Sequence, residues 1–196
     1  MPHPDAERWN LRYREERYSS FVLPRPFLIK HASLLPPRGL ALDVAMGLGG
    51  NAGLLLERGL RVVGVDISDV AVRQARNHLP GLLAVIADMD SFYLPPATFN
   101  VILNFYYLNR RLWGDYVQAL TTGGVLIFQT LTIAMLEIQP ERDPANLLQP
   151  GELRTAFPGL DIVDYFEGWE TSTNDHPRAV AGLVGIKRTR LSSMSI

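Results

Sequence analysis

The fold follows from one stretch, residues 42–51, which reads Leu-Asp-Val-Ala-Met-Gly-Leu-Gly-Gly-Asn. Apolar residues predict a strand over Leu40–Ala45, and a helix is predicted over Asn51–Arg58, closed by Gly59. Between them, Gly47–Gly50 forms a loop whose glycines let the backbone turn sharply and approach a ligand closely. The helix N-terminus adds N–H donors and a positive potential. Such a site suits a nucleotide or a carboxylate.

Strands and helices alternate in the residues that follow. Further strands are predicted at Arg61–Val65, Gly81–Ala87, Phe99–Asn104 and Val125–Leu131, and further helices at Asp69–His78 and Arg110–Leu120. The last third predicts a long loop over Thr132–Gln149, a short helix over Gly151–Phe157, and two strands, Leu160–Phe166 and Arg178–Lys187, which can pair as a hairpin. Apolar strands that alternate with helices predict an α/β fold with a mostly parallel sheet and helices on both faces.

Size and composition limit the class of protein. The chain has 196 residues, 47% hydrophobic and 20% charged, with a net charge of −1, which is typical of one soluble globular domain. Near-neutral charge disfavours nucleic acid as a partner. The absence of cysteine excludes disulfides, thiolate metal sites and a cysteine nucleophile, and fits the cytoplasm. We expect no secretory signal at Met1–Arg17, no membrane span and no metal site.

Three acidic residues lie at the ends of three successive predicted strands. Asp43 closes the first strand, Asp66 the second and Asp88 the third. Ligands of open α/β sheets bind at the carboxyl ends of the strands. Asp66 would suit a ribose diol, Asp88 an adenine amino group, and Asp43 the cationic end of a methionine-like group.

The glycine loop alone leaves alternatives open. Residues 47–52 also fit the G-x-G-x-x-A fingerprint of dinucleotide-binding proteins, so an NAD-dependent oxidoreductase is one alternative. Against it stand Asp43 and a chain too short for a separate catalytic domain. A tight turn that binds nothing is another alternative, and a cofactor-binding domain without catalysis is a third.

The pattern Asp43-x-x-x-Gly47-x-Gly49-Gly50 resembles the first motif of class I S-adenosylmethionine-dependent methyltransferases. Asp66, Asp88 and residues 104–107, Asn-Phe-Tyr-Tyr, resemble the motifs that follow. The resemblance implies a Rossmann-like seven-stranded sheet of order 3-2-1-4-5-7-6 with the seventh strand antiparallel. The N-terminal Trp-Asn-x-Arg-Tyr, residues 9–13, is similar to small methyltransferases of the tellurite-resistance and thiopurine type.

The resemblance also implies the cofactor, S-adenosylmethionine, with S-adenosylhomocysteine as product. It implies that the following residues contact that cofactor: Asp43, Gly47, Gly49, Asn51, Asp66, Ile67, Asp88, Met89 and Asn104. The chain departs from the family at Ala45, where the family has glycine, and the extra methyl group narrows the loop.

The methyl acceptor is expected to be a small molecule, reached by in-line displacement. Residues 104–107 lack the two prolines of the Asn-Pro-Pro-Tyr motif found in enzymes that methylate nucleic-acid amines. A hydroxyl or ammonium acceptor would need a general base, whereas a soft or neutral nucleophile would not. Tyr106 and His176 are the catalytic candidates, and Tyr107, Glu170 and Asp175 are further possible general bases.

We expect one domain, residues 1–196, in which residues 1–36 form an N-terminal helical lid. Loops at 132–149 and 168–177 would complete that lid. Trp9, Tyr13, Tyr107 and Trp169 are the candidate substrate-binding residues, and the other aromatic candidates for the lid are Tyr18, Phe21 and Trp113. The protein is expected to be a monomer or homodimer that binds neither nucleic acid nor membrane.

Overall fold

Seven strands form one sheet in the computed structural model, which describes residues 3–15, 22–171 and 176–188. The order is β3-β2-β1-β4-β5-β7-β6. The strands are β1 (Leu40–Val44), β2 (Arg61–Asp66), β3 (Leu83–Ile86), β4 (Phe99–Phe105), β5 (Leu120–Leu131), β6 (Leu160–Thr171) and β7 (Pro177–Lys187). Neighbours from β3 to β5 pair in parallel, and β7 pairs antiparallel with both β5 and β6. The predicted fold class and strand order are confirmed.

Among the described residues, six α-helices connect or flank the strands. They are α1 (Pro4–Tyr13), α2 (Pro26–Lys30), α3 (Gly50–Glu57), α4 (Asp69–His78), α5 (Trp113–Ala119) and α6 (Glu152–Thr155). Proline begins α1 and α2, where the missing N–H costs no intrahelical bond. The Ser68 hydroxyl accepts a bond from the N–H of Ala71 and so caps α4.

The sheet separates two apolar cores. Alternate residues of β1 show this, because Ala41 faces one core and Leu42 the other. Helices α2, α3 and α4 pack on the first face, and α5 and α6 on the second. The described parallel strands all end on the same edge of the sheet. Because helices cover both faces of the sheet, these strands have continuous apolar sequences.

The boundaries differ from the sequence-based ones mainly in the last half. The strand predicted from Val125 begins at Leu120, because Leu120 pairs with Phe99 before a register shift. The loop expected over residues 167–177 is partly strand, since the β6–β7 ladder continues to the pair Thr171 and Pro177. No helix in the described ranges is long and apolar enough to cross a membrane.

Candidate functional site

A cavity of ≈ 190 Å³ opens where β1, β2, β3 and β4 end. Its lining includes ten of the residues predicted for the cofactor, substrate or catalysis: Trp9, Tyr13, Gly47, Asn51, Asp66, Ile67, Asp88, Met89, Tyr106 and Tyr107. The carboxyl ends of the strands therefore bring together side chains that lie far apart in the sequence. Helix α1 forms one wall of the same cavity.

The glycine loop is held by the end of the neighbouring strand. The N–H of Gly47 donates to Oδ2 of Asp66 at 2.8 Å, and Gly47 has a φ of +56°. A Cβ at Gly47 would lie 2.8 Å from the Tyr13 hydroxyl, so a side chain there would strike α1. Gly49, at φ +81°, is the N-cap of α3. It lies toward Leu79 and does not line the cavity.

The Asp66 carboxylate is fixed by backbone donors at both oxygens. Oδ1 accepts from the N–H of Ser68 at 2.9 Å while Oδ2 accepts from Gly47. Burial raises the pKa of Asp66, and the bonds from Ser68, Gly47 and Ile67 oppose that rise. Carboxylate oxygens have further lone pairs, so Asp66 can still accept from hydroxyl groups of a ligand in the cavity.

Asp43 lies beneath the loop, fully buried and outside the cavity lining. Its carboxylate accepts a backbone bond from Ala52, but Oδ2 has no hydrogen-bond partner among the described residues. Burial, reinforced by the charge of Asp66, raises the pKa of Asp43 to about 7. A buried carboxyl group with an unused oxygen is suited to a nearby cationic ligand group, which would favour its ionised form.

The end of β3 supplies the third acidic group. Asp88 lines the cavity, and its Oδ1 accepts from the N–H of Asp90 at 3.0 Å. Nε2 of His3 lies 3.8 Å from Oδ2 of Asp88, so the N-terminal segment reaches this side of the cavity. Met89 is buried beside them with its side chain in the cavity wall.

Helix α1 is attached to the start of α4 by hydrogen bonds. Oδ1 of Asn10 accepts from the Ser68 hydroxyl at 2.6 Å and from the N–H of Val70 at 3.3 Å. Nε2 of Gln74 donates to the carbonyl of Tyr13 at 3.2 Å. Trp9 and Tyr13 stack with ring centroids 5.7 Å apart and present aromatic surface to the cavity.

Tyr106 follows β4 in an unusual backbone conformation. Its φ of +58° is in the left-handed region, which is uncommon for a bulky residue, and its N–H donates to the carbonyl of Gln129 at 2.9 Å. The Tyr106 hydroxyl lies 3.4 Å from Oε1 of Glu170 and also hydrogen bonds with Arg178. Burial raises the pKa of Tyr106, so the phenol keeps its proton at neutral pH.

Asn104 lies under the loop after β4, outside the cavity lining. Its Nδ2 donates to the carbonyl of Tyr107 at 2.7 Å, and its Oδ1 accepts from the hydroxyl of Tyr116 at 3.2 Å. Its amide is therefore committed to protein partners and supports Tyr107, which does line the cavity. The predicted contact between Asn104 and the cofactor stays a prediction.

Three other candidates lie away from the cavity. Trp169 is 43% exposed on β6, and His176 is exposed just before β7. Trp113 packs against Phe128 and Phe157 on the face of the sheet that α5 and α6 cover. It therefore does not lie in the lid, where it was predicted. Tyr18, Phe21 and Asp175 lie outside the described residues.

Sequence reasoning missed Arg25, which lines the cavity, and Arg178 on β7. Both guanidinium groups lie over the Tyr106 ring, 5.0 and 5.1 Å from its centroid. A signal for Arg25 existed, because it is the one charge in the otherwise apolar run over residues 21–29. Within the described residues, no group of three or more His, Asp or Glu side chains could hold a metal ion.

Comparisons with known proteins come from sequence and from structure. Residues 41–124 match the methyltransferase domain family. Trans-aconitate 2-methyltransferase of Rhodopseudomonas palustris strain BisB18 is 35% identical over 131 residues, which is 64% of this chain and 49% of the relative. The chain thus spans about half the length of the curated relatives it matches.

Two solved structures illustrate the shared fold. The complex of the Haloferax volcanii Trm112 methyltransferase activator with a methyltransferase matches with a TM-score of 0.72, at 17% identity, covering 96% of this chain and 98% of that chain. Geranyl diphosphate C-methyltransferase of Streptomyces coelicolor, in complex with Mg²⁺, geranyl diphosphate and S-adenosyl-L-homocysteine, matches with a TM-score of 0.65 at 13% identity, covering 94% and 87%. The resemblance to tellurite-resistance and thiopurine methyltransferases stays a prediction. The chain is thus similar to a methyltransferase domain over residues 41–124, and it shares its fold with these solved structures.

Proposed function

We propose that this protein transfers a methyl group from S-adenosylmethionine to a small-molecule acceptor by in-line displacement. The observation that carries the proposal is the Asp66 carboxylate, which two backbone N–H groups orient at the cavity wall beside the glycine loop. A dinucleotide site would use a similar loop, but the family match favours the methyltransferase.

The strand ends would hold the cofactor in three parts. Asp66 would accept from the ribose hydroxyls, and Ile67, Asp88 and Met89 would surround the adenine. Gly47, Gly49 and Asn51 would lie along the methionine part. Asp43 fits the cationic end of that part, because its buried Oδ2 has no hydrogen-bond partner among the described residues. The acidic groups at this edge of the sheet thus support S-adenosylmethionine as the ligand.

When bound, the cofactor supplies an electrophilic methyl group on its sulfonium. The protein's task is then to position the acceptor and exclude water. Helix α1 contributes by covering the cavity with Trp9 and Tyr13. Tyr107, half-buried on the opposite wall, would contact the acceptor or the cofactor.

Tyr106 is the proposed catalytic residue. Because burial keeps its phenol neutral, it would act by donating a hydrogen bond that orients the acceptor, with Glu170 as an alternative partner for its proton. His176 and Trp169 were the other predicted contributors. Neither lines the cavity, so their participation requires an acceptor that extends beyond it.

The acceptor class is the least determined part of the proposal. The matched relatives are named trans-aconitate 2-methyltransferases, so a carboxylic acid is the first class to assay. We further propose, from the sequence, a cytoplasmic monomer or homodimer that does not act on nucleic acid.

Calorimetry tests the cofactor proposal directly. S-adenosylmethionine, S-adenosylhomocysteine and NAD are titrated into the wild-type protein, Asp66→Asn and the control Asp69→Asn, which changes a carboxylate on the outer surface of α4. We expect the first two ligands to bind wild type and Asp69→Asn, and to bind Asp66→Asn at least about tenfold more weakly, as loss of a charged hydrogen-bond acceptor implies.

Three outcomes would contradict the proposal. Binding of NAD alone would make the protein a nucleotide-dependent oxidoreductase, and binding of none of the three would leave the glycine loop as a structural turn. If the cofactor binds but no labelled methyl group reaches any acceptor in a broad panel, the protein is a cofactor-binding domain without catalysis.

A further inference from the structure

Charge is distributed unevenly around the cavity. The end formed by α1, β2 and β3 is acidic and carries Asp5, Asp66, Asp88 and Asp90. The other end, beyond β4, carries Arg25. A second cavity of ≈ 40 Å³ continues there, lined by Arg25, Tyr106, Glu170 and Arg178 among others. The two cavities share Arg25 and Tyr106, so these residues stand between a large acidic space and a small basic one.

The basic end is built from separate parts of the chain. The N–H of Arg25 donates to Oδ1 of Asn51 at 2.9 Å, which ties the segment before α2 to helix α3. Arg178 lies on β7, in register with Glu170 of β6. Each of the two guanidinium groups lies over the ring of Tyr106, whose backbone is fixed by β5 through Gln129.

The balance of charges at this end is positive. Glu170 is held by the Tyr106 hydroxyl at 3.4 Å and by Nε2 of Gln129 at 3.1 Å. Burial lowers the pKa of Arg142, and the positive charges of Arg12 and Arg178 add to that effect. The lining of the small cavity thus carries two arginines, Arg25 and Arg178, against one carboxylate, Glu170, while the buried Asp43 acts on Arg25 from outside that lining.

We infer that Arg25 and Arg178, gathered around the ring of Tyr106, form an anion site that binds a carboxylate group of the methyl acceptor. Planar guanidinium groups suit carboxylates because they offer paired N–H donors. Burial and the charge of Arg178 lower the pKa of Arg25. An anion bound by both guanidinium groups would favour the charged form of Arg25 and so oppose both effects. The inference rests on the proposed methyltransferase function and adds the acceptor class and the residues that select it.

A carboxylate can reach this site from either of two molecules, the acceptor or the methionine part of the cofactor. Arg178 lines only the small cavity, whereas the glycine loop lines only the large one. Arg178 is therefore assigned to the acceptor, while Arg25, which lines both cavities, is placed to meet either carboxylate.

The test measures acceptor-side and cofactor-side binding separately. Trans-aconitate and citrate, and the uncharged trimethyl ester of trans-aconitate, are titrated by calorimetry into the protein saturated with S-adenosylhomocysteine. The variants are Arg178→Gln, Arg178→Lys and the control Arg61→Gln, which removes an exposed arginine at the start of β2, on the opposite edge of the sheet. Thermal unfolding of each variant checks that it is folded.

We expect at least one of the two acids to bind wild type and Arg61→Gln, and the ester to bind neither. Arg178→Gln should weaken binding of the acid about tenfold or more, as loss of a charged pair implies, and Arg178→Lys should recover part of it. The affinity for S-adenosylhomocysteine should stay within about twofold in all variants.

Three results would overturn the inference. In the first, the acids do not bind a wild-type protein that binds S-adenosylhomocysteine. In the second, Arg178→Gln is folded and binds the acids as tightly as wild type does. In the third, Arg178→Gln loses affinity for S-adenosylhomocysteine to the same degree as for the acids, which would mean that the arginines bind the cofactor. A wild-type protein that does not bind S-adenosylhomocysteine contradicts the proposed function instead, so the two failures are distinguishable.

Discussion

The hydroxyl of Tyr13 lies so close to Gly47 that a Cβ added to this glycine would be 2.8 Å from it. Helix α1 is therefore seated directly on the loop that would pass under the cofactor, and the loop's shape depends on a residue from the N-terminal helix. Because Gly47 also has a φ of +56°, any side chain there meets two separate penalties, one from the backbone and one from Tyr13.

We predict that Gly47→Ala weakens cofactor binding and lowers the free energy of unfolding by about 1–3 kcal/mol, the usual cost of a strained backbone position. Gly47→Ala with Tyr13→Phe should regain part of the loss, because the clash with the hydroxyl is gone and only the backbone strain remains. Chemical denaturation and calorimetry of both variants and of Tyr13→Phe complete a double-mutant cycle. Additive effects would show that α1 does not press on the loop.

The buried carboxyl group of Asp43 predicts an unusual pH dependence. In the unfolded chain Asp43 has an ordinary pKa, whereas in the folded protein its pKa is about 7. The folded state thus keeps a proton that the unfolded state releases, so this group lowers stability progressively as pH rises from about 4 to about 7. Asp43→Asn should therefore be the more stable protein at pH 8. Between pH 4 and pH 8, its free energy of unfolding should rise relative to that of wild type by on the order of 3 kcal/mol.

Denaturant unfolding of both proteins across this pH range measures the effect. A difference that stays constant with pH would mean that Asp43 is ionised in the folded state throughout. Cofactor binding should also release a proton from Asp43 near pH 6, since a cationic ligand group favours the carboxylate. Calorimetry in buffers of different ionisation enthalpy detects that proton.

Asn104 should act through the structure around Tyr107. Asn104→Ala removes the donor to the Tyr107 carbonyl and the acceptor for the Tyr116 hydroxyl, so we expect a loss of about 1–3 kcal/mol of stability for each buried group left unpaired. Tyr116→Phe should cost about 1 kcal/mol, and the exposed control Asn77→Ala almost nothing. If Asn104→Ala weakens cofactor binding many-fold without lowering the unfolding temperature, the residue contacts the ligand directly.

The methyl group of Ala45 should limit cofactor affinity. Ala45 lines the cavity with a φ of 50°, a conformation that glycine adopts without strain. In Ala45→Gly, the relief of about 1 kcal/mol of strain is offset by a more flexible unfolded chain, so stability should change little. Binding of S-adenosylhomocysteine should tighten a few-fold.

A matched control exists for this substitution. Ala97 also has a positive φ, 49°, in an exposed loop outside the cavity lining. Ala97→Gly should have the same effect on stability and none on binding. Equal affinities in wild type and Ala45→Gly would show that the methyl group does not restrict the site.

The sequence was sufficient for the fold and for the half of the site near the glycine loop. Gly47, Asp66 and Asp88 follow strands that are neighbours in the sheet, and parallel strands end on one edge, so their proximity could be inferred from strand order. The apolar runs predicted the strands, whereas their order was implied by the resemblance to class I S-adenosylmethionine-dependent methyltransferases. Helix α1 was predicted, but its Asn10–Ser68 contact depends on how two helices pack, which no local pattern specifies.

The other half could not be inferred in the same way. Arg178 reaches Tyr106 because β7 turns back antiparallel beside β5, and the loop predicted in its place hid the extent of the β6–β7 ladder. Trp113 was assigned to the lid from its residue type alone, although its position at the start of α5 places it against the core. Aromatic residue type does not separate core from lid, since both environments bury large rings.

The order of strands has a consequence for how such an enzyme changes during evolution. The glycine loop, Asp66 and Asp88 belong to one half of the sheet, whereas Glu170 and Arg178 belong to the β6–β7 hairpin on the other side of β5. Tyr106 lies between the two halves and is held by each. If Arg178 binds the acceptor as proposed, mutations in the hairpin would alter which molecule is recognised while leaving the proposed cofactor site intact, so new specificities would arise without an inactive intermediate.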